Sequence, residues 1–142
     1  MFLKFFHSLR NLFVSLYRLT NGRVGGHIAG LQVLLLTTIG RKTGEERTTP
    51  LGYFVEDGNY IITASNAGQN TNPAWFHNLL ANPRVKIEIQ DQLVEAEAEI
   101  ARQEKRTALW SKLISLSPGY ANYSKKTSRQ IPMVILHPQK TV

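Results

Sequence analysis

Apolar residues between positions 2 and 19 recur every three or four places: Phe2, Phe6, Leu9, Phe13 and Leu16. Phe5, Leu12 and Leu19 widen the stripe, and Lys4, Ser8, Asn11, Ser15 and Arg18 lie mostly opposite. That period predicts an amphipathic helix over 2–19, which Thr20-Asn21-Gly22 stops. Two uses fit it equally: a surface helix laid over a barrel or sheet, or an interfacial helix with Phe and Leu in the lipid headgroup region. Residues 23–30 hold three glycines and no period, so they read as a connector. Leu31 to Thr38 is a strand whose nearly unbroken Val33-Leu34-Leu35-Leu36 run predicts a central position. A charged turn occupies 39–48. Residues 49–56 and 59–65 then form a hairpin across Asp57-Gly58. After a polar loop, 66–72, a short helix runs from Pro73 to about Ala81, with Asn72 expected as its N-cap and Asn82-Pro83 as its stop.

Val85, Ile87 and Ile89 alternate with Lys86 and Glu88, and Val94, Ala96, Ala98 and Ile100 alternate with Glu95, Glu97 and Glu99. Period two gives each of these strands one wet face, and Gln90-Asp91-Gln92 joins them. A helix over 103–116 offers Leu109, Trp110, Leu113 and Leu116 for burial and ends at Ser117-Pro118-Gly119; residues 131–137 are the last strand. About six strands and three helices without regular alternation disfavour a doubly wound sheet. The expected class is mainly β with α: a small barrel of mostly antiparallel strands with external helices. Residues 1–22 form the N-terminal helix and 23–142 the barrel domain.

Length and composition narrow this further. A chain of 142 residues fits one domain, and 42% hydrophobic content supports a core. Without cysteine there is no disulfide framework, thiolate metal site or cysteine nucleophile. No stretch reaches the roughly 20 apolar residues that span a bilayer, and the N-terminus lacks a signal-peptide cleavage pattern. The net charge is +7, and its distribution is uneven. The first carboxylate is Glu45 and the last Glu104, so both ends are purely cationic. A basic patch can attract nucleic acid, anionic lipid or a phosphorylated small molecule. The chain has no recognisable nucleic-acid-binding motif, so no nucleic-acid partner is expected.

Candidate chemistry gathers in three segments. In the charged turn, Arg41, Lys42 and Arg47 surround Gly40 and Gly44, with hydroxyls at Thr43, Thr48 and Thr49. Arginine grips phosphate bidentately and lysine adds a mobile point charge, although a plain solvated hairpin turn uses the same residue types. In the second segment, Ser65-Asn66-Ala67 can offer backbone N–H groups to a heterocycle. Trp75 can stack on a ring or fill the gap between helix and barrel. In the third, Tyr120 and Tyr123 share a face if a helical turn forms there; a phenol is a poor base but a fair acid or polariser. His7, His27, His77 and His137 fit neither a triad nor a zinc spacing, so no metal site is expected. Phosphate binders and aromatics without a nucleophile suit an enzyme whose cofactor supplies the chemistry.

These segments resemble a known family. The pattern L-L-L-T-T-x-G-R-K-T-G-x-x-R-x-T-P spans Leu34 to Pro50. N-P-A-W-F-H-N-L-x-A-N-P spans Asn72 to Pro83, and P-G-Y-A-N-Y…T-S-R-Q-I-P-M-V-I-L closes the chain. Over roughly residues 20–138 the chain is similar to the deazaflavin-dependent nitroreductases and quinone reductases, within the flavin/deazaflavin oxidoreductases of split β-barrel, FMN-binding-like fold. The resemblance implies coenzyme F(420), a deazaflavin with a phospholactyl-oligoglutamate tail, with FMN a lesser alternative. Arg41, Lys42, Thr43 and Arg47 would hold the phosphate and acidic tail. Thr49 and Pro50 would line the ring site, Ser65, Asn66 and Ala67 would supply polar contacts, and Trp75 and Asn78 would close the pocket. Tyr120 and Tyr123 would face the acceptor, a quinone such as menaquinone or a nitroaromatic. The resemblance also implies a cytoplasmic enzyme resting peripherally on the inner face of the membrane, through residues 2–19. A non-enzymatic cofactor, lipid or fatty-acid binder on the same barrel is the rival reading.

Overall fold

The computed structural model describes residues 2–23 and 25–139, with side chains from Leu9 onward. Phe2, Phe5 and Phe6 of the N-terminal apolar stripe lie outside the described side chains, whereas Phe13 packs against the barrel with Val14 and Tyr17. Helix α1 covers Phe2–Leu19, followed by a short strand β1 (His27–Ile28) and the long strands β2 (Leu31–Ile39) and β3 (Glu46–Glu56). Then come β4 (Asn59–Thr63), α2 (Ala74–Ala81), β5 (Arg84–Ile89), β6 (Gln92–Ile100), α3 (Gln103–Leu116), α4 (Tyr120–Lys126) and β7 (Met133–Pro138). The strands run in the order β2-β3-β4-β7-β6-β5, and β5 returns to pair with β2 through Leu35–Glu88, Leu36–Ile87 and Thr37–Lys86. The result is a closed, six-stranded, wholly antiparallel barrel, the expected class. Closure leaves these six strands without a free edge along their paired lengths.

The continuous apolar runs have a simple cause: alternate residues of one strand feed different cores. Leu34 and Leu36 of β2, Ile62 of β4 and Val134 and Leu136 of β7 point inward, joined by Tyr53, Val85, Ile87 and Ala96. Trp75, Phe76 and Leu79 of α2 complete that interior cluster, so α2 plugs the barrel. On the outside, Ile61, Met133 and Ile135 pack with Phe54 beneath Leu109 and Leu113 of α3 and Tyr120 of α4. Val33 and Leu35 pack beneath Val14 and Tyr17 of α1.

Several local expectations change. The charged turn is shorter than 39–48, because Thr38–Arg47 and Ile39–Glu46 are already paired in the β2–β3 ladder. Leu116 is exposed, lying one turn past the buried Leu113 on α3. Trp110 is only half-buried, with the Arg106 guanidinium 4.9 Å over its ring. Asn72 does not cap α2. Pro73, extended at φ −67° and ψ 157°, holds the N-cap position without a side-chain bond, and the Asn72 Oδ1 accepts instead from Arg129.

Helix α1 is apolar on two faces. Val14 and Tyr17 are buried against the barrel, and the Tyr17 hydroxyl donates to the Val33 carbonyl (2.9 Å) and accepts from the Gln90 N–H (2.9 Å). Leu9, Leu12, Leu16 and Leu19 fall on another face and are exposed.

Candidate functional site

The β2–β3 turn is closed by the Gly40 N–H donating to the Glu45 carbonyl (2.7 Å) and the Gly44 N–H donating to the Gly40 carbonyl (2.8 Å). A Cβ at Gly40 would lie 2.8 Å from Thr43 Oγ1 and 3.2 Å from that Glu45 carbonyl, so a side chain here would have to displace Thr43 and crowd the turn's backbone. Asn78 of α2 fixes the turn to the barrel. Its Oδ1 accepts from the Arg41 N–H (3.1 Å) and Nη1 (3.3 Å), and its Nδ2 donates to Thr38 Oγ1 (3.2 Å). Asn78 is buried, so its amide is committed to placing Arg41.

Across the barrel mouth, the chain after β4 makes a single left-handed turn. Asn66, Ala67 and Gly68 have φ of 47°, 54° and 78°, and Ser65 before them is right-handed. A right-handed residue followed by a left-handed one turns successive N–H groups toward a common side, a geometry that binds anions and ring carbonyls. An alanine in this region costs roughly 1–2 kcal/mol. Arg129 offsets that strain. Its guanidinium donates to the carbonyls of Ala64, Ser65 and Gln69 and to Asn72 Oδ1, at 2.7–3.2 Å. Desolvation lowers its pKa from the ordinary arginine value, yet a guanidinium stays charged at any working pH.

Between these walls lie two adjoining hollows. One, of about 430 Å³, is lined by Thr49, Leu51, Thr63, Ser65, Asn66, Ala67, Asn72, Pro73, Ala74 and Trp75, and by Arg10 of α1. The other, of about 260 Å³, is lined by Gly40, Arg41, Lys42, Thr43, Arg47, Thr49, Ala74, Trp75 and Asn78, and again by Arg10. The sequence candidates Arg41, Lys42, Thr43, Arg47, Thr49, Ser65, Asn66, Ala67, Trp75 and Asn78 thus converge. Pro50 does not line either hollow; it sits one residue along β3, opposite Leu35. Tyr120 and Tyr123 do form the expected helical turn, with rings 5.4 Å apart, edge to face. They lie behind the left-handed turn: Tyr120 is buried under α3, and the Tyr123 carbonyl lies 3.1 Å from where a Cβ on Gly68 would sit. Burial, then the neighbouring Tyr123, raises the pKa of Tyr120, which keeps the phenol protonated.

The charge pattern divides the site. Arg10 is the one charged residue of the first hollow, whereas four cations line the second. Of these, only Arg47 has a carboxylate partner among the described residues, Glu45 at 3.3 Å. A further hollow of about 500 Å³, on the β5–β6 side, mixes Glu46, Glu95 and Glu97 with Arg84 and Lys86 and so lacks the cationic excess of the second. Sequence reasoning passed over Arg10 and gave Arg129 no specific role, since each acts on residues far away along the chain. Trp75, read as either core or ring contact, is buried in the interior cluster and also lines both hollows.

The chain is similar to known proteins. The family description "F420H(2)-dependent quinone reductase" matches residues 9–138. An F(420)H(2)-dependent quinone reductase of Mycobacterium tuberculosis is 39% identical over 132 residues, covering 90% of this chain and 89% of the relative. Among solved structures, an F(420)H(2)-dependent reductase is 35% identical with a TM-score of 0.68, covering 74% of this chain and 93% of its own. Another, described as a domain-swapped dimer, is 30% identical with a TM-score of 0.71, covering 92% and 98%.

Arg129→Lys keeps the charge but loses the planar fork, and is expected to cost roughly 1–3 kcal/mol of stability. Amide exchange should quicken at Gly68 and Gln69, whose N–H groups close the left-handed turn. Unchanged exchange at both amides would show that the turn stands without its clamp.

Proposed function

The chain belongs to the F(420)H(2)-dependent quinone reductase family, and from that premise we propose that it binds reduced coenzyme F(420) in the paired hollows and reduces a quinone-type acceptor. One observation carries the assignment of the site: a hollow whose one charged residue is Arg10 adjoins one where Arg10, Arg41 and Lys42 have no carboxylate partner among the described residues. An uncharged ring with a polyanionic tail fits that division. Four cations exceed what a single FMN phosphate needs, which favours the deazaflavin with its longer acidic tail.

When bound, the reduced deazaflavin supplies the hydride from its C5. The residues do the rest. Trp75 offers a ring wall, and the Ser65–Ala67 turn offers N–H groups to the ring's polar edge. Arg41, fixed by Asn78, and the mobile Lys42 take the phosphate and tail carboxylates. A quinone accepts a proton as well as a hydride to become the quinol, and Tyr123, less buried than Tyr120, is the phenol assigned to donate it. Tyr120 holds α4 in place beside it. An electron-poor nitroaromatic meets the same requirement for a hydride acceptor.

Among the described residues no helix is long and apolar enough to cross a membrane. The exposed Leu9, Leu12, Leu16 and Leu19 instead give α1 an apolar strip, suited to resting on a bilayer that holds a lipid-soluble quinone.

A fluorescence titration with oxidised F(420), run beside FMN, should show saturable binding that is tighter for the deazaflavin. The Arg41→Ala/Lys42→Ala pair should weaken it at least about tenfold, since one charge-assisted contact contributes roughly 1.5–3 kcal/mol. Wild-type affinity in the double variant would sink the tail assignment. Saturable binding without quinone turnover would favour a carrier. Tyr123→Phe should lower turnover while sparing F(420) affinity; equal kinetics with several acceptors would remove the phenol from the reaction. For the surface strip, Leu9→Gln/Leu12→Gln/Leu16→Gln should lose binding to anionic phospholipid vesicles and keep the cofactor site. Equal sedimentation with vesicles by both proteins would defeat the membrane reading.

A further inference from the structure

We propose that Arg10, on the N-terminal helix, binds the cofactor's phosphate at the junction of ring and tail, so that α1 is a wall of the cofactor site. The inference rests on the deazaflavin reading above.

Arg10 stands four residues before Val14 and seven before Tyr17, so all three share one face of α1. Val14 and Tyr17 are buried against β2, which commits that face to the barrel. Side chains on a helix lean toward its N-terminus, and Arg10 accordingly reaches beyond the packed residues. It is the charged residue that lines both hollows, sharing Thr49, Ala74 and Trp75 with each. Its Nε is buried, with no hydrogen-bond partner among the described residues. No carboxylate pairs with it there, and the hollow it shares with Arg41, Lys42 and Arg47 adds like charge. A buried guanidinium donor among cations lacks one thing, an anionic acceptor.

The position of Arg10 selects which anion. The hollow with Trp75 holds no other charge, so it takes the uncharged ring. The adjoining hollow holds three more cations, so it takes the acidic tail. A residue common to both sits where the ring portion ends and the first anionic group begins, and in F(420) that group is the phosphate. Arg41, Lys42 and Arg47 then share the phosphate's outer oxygens with Arg10 and take the carboxylates farther out.

The test compares F(420) with the deazaflavin riboside that lacks phosphate and tail. In Arg10→Ala, F(420) affinity should fall about 10- to 100-fold, as expected for loss of a charge-assisted contact, while riboside affinity stays within about twofold. An equal loss for both ligands, or none for either, overturns the proposal. Wild-type protein that binds neither ligand fails the deazaflavin reading itself. A measurement on the unaltered protein guards against misfolding of the variant: F(420), but not the riboside, should slow amide exchange along residues 9–19. Unchanged exchange along that helix at saturating F(420) would also overturn the proposal.

Discussion

Strand β2 is the constraint on which the rest depends. Leu31 and every residue from Val33 to Thr38 are buried, and the strand is hydrogen-bonded to β3 on one edge and to β1 and β5 on the other. A strand with apolar side chains on both faces needs cover on both. The barrel interior buries Leu34 and Leu36, while α1 buries Val33 and Leu35. Pairing with β5 closes the barrel, so the strand's polar backbone is satisfied along both edges without a helix crossover. The charged turn therefore springs from a strand that is buried and hydrogen-bonded along both edges. Arg41 lies two residues past the end of β2 and is held there by an amide that also bonds Thr38 within it.

The opposite wall is organised by another means. The Asn66–Gly68 turn lies in a left-handed region that alanine resists, and no strand supports it from inside. The carbonyls that flank it, of Ala64, Ser65 and Gln69, converge on Arg129, which leaves the other side of the backbone open. One cation thus shapes the site without lining it, whereas Arg41 and Lys42 line it without shaping the fold. This division explains why cations so near one another have different partners. Arg129 is occupied by carbonyls, whereas Arg10, Arg41 and Lys42 in the cleft have no carboxylate partner among the described residues.

Much of this was legible in the sequence because it is local. The alternation of Val85, Ile87 and Ala96 with charged residues, the Asp57-Gly58 hairpin and the apolar run of β2 set the strands. The Gly40–Thr49 and Asn72–Asn78 segments set most of the cleft. What escaped depends on distant partners. Arg129 acts on carbonyls about 60 residues earlier in the chain, and nothing near it distinguishes it from Lys125 or Lys126. Asn72 reads as a helix cap by every local rule, yet Arg129 competes for its oxygen and wins with a charge-assisted bond at 2.7 Å. On α1, the leucine stripe is the more regular pattern, and it hid the less regular Val14 and Tyr17 that the barrel buries.

That two-faced helix ties the cofactor site to the surface. Leu9 and Leu12 are exposed close to Arg10 along the helix, so on the proposed reading a bilayer against the leucines and an anion against the guanidinium would act on the same two turns. If α1 leaves the barrel, Val14 and Tyr17 lose their burial and the cleft loses a wall. Any contact that holds α1 down must then strengthen cofactor binding, and the cofactor must strengthen that contact by the same factor. A lipid-soluble acceptor makes such linkage useful. It would fill the site preferentially on molecules already lying where the acceptor is dissolved, and leave detached molecules with a weaker grip on the reductant.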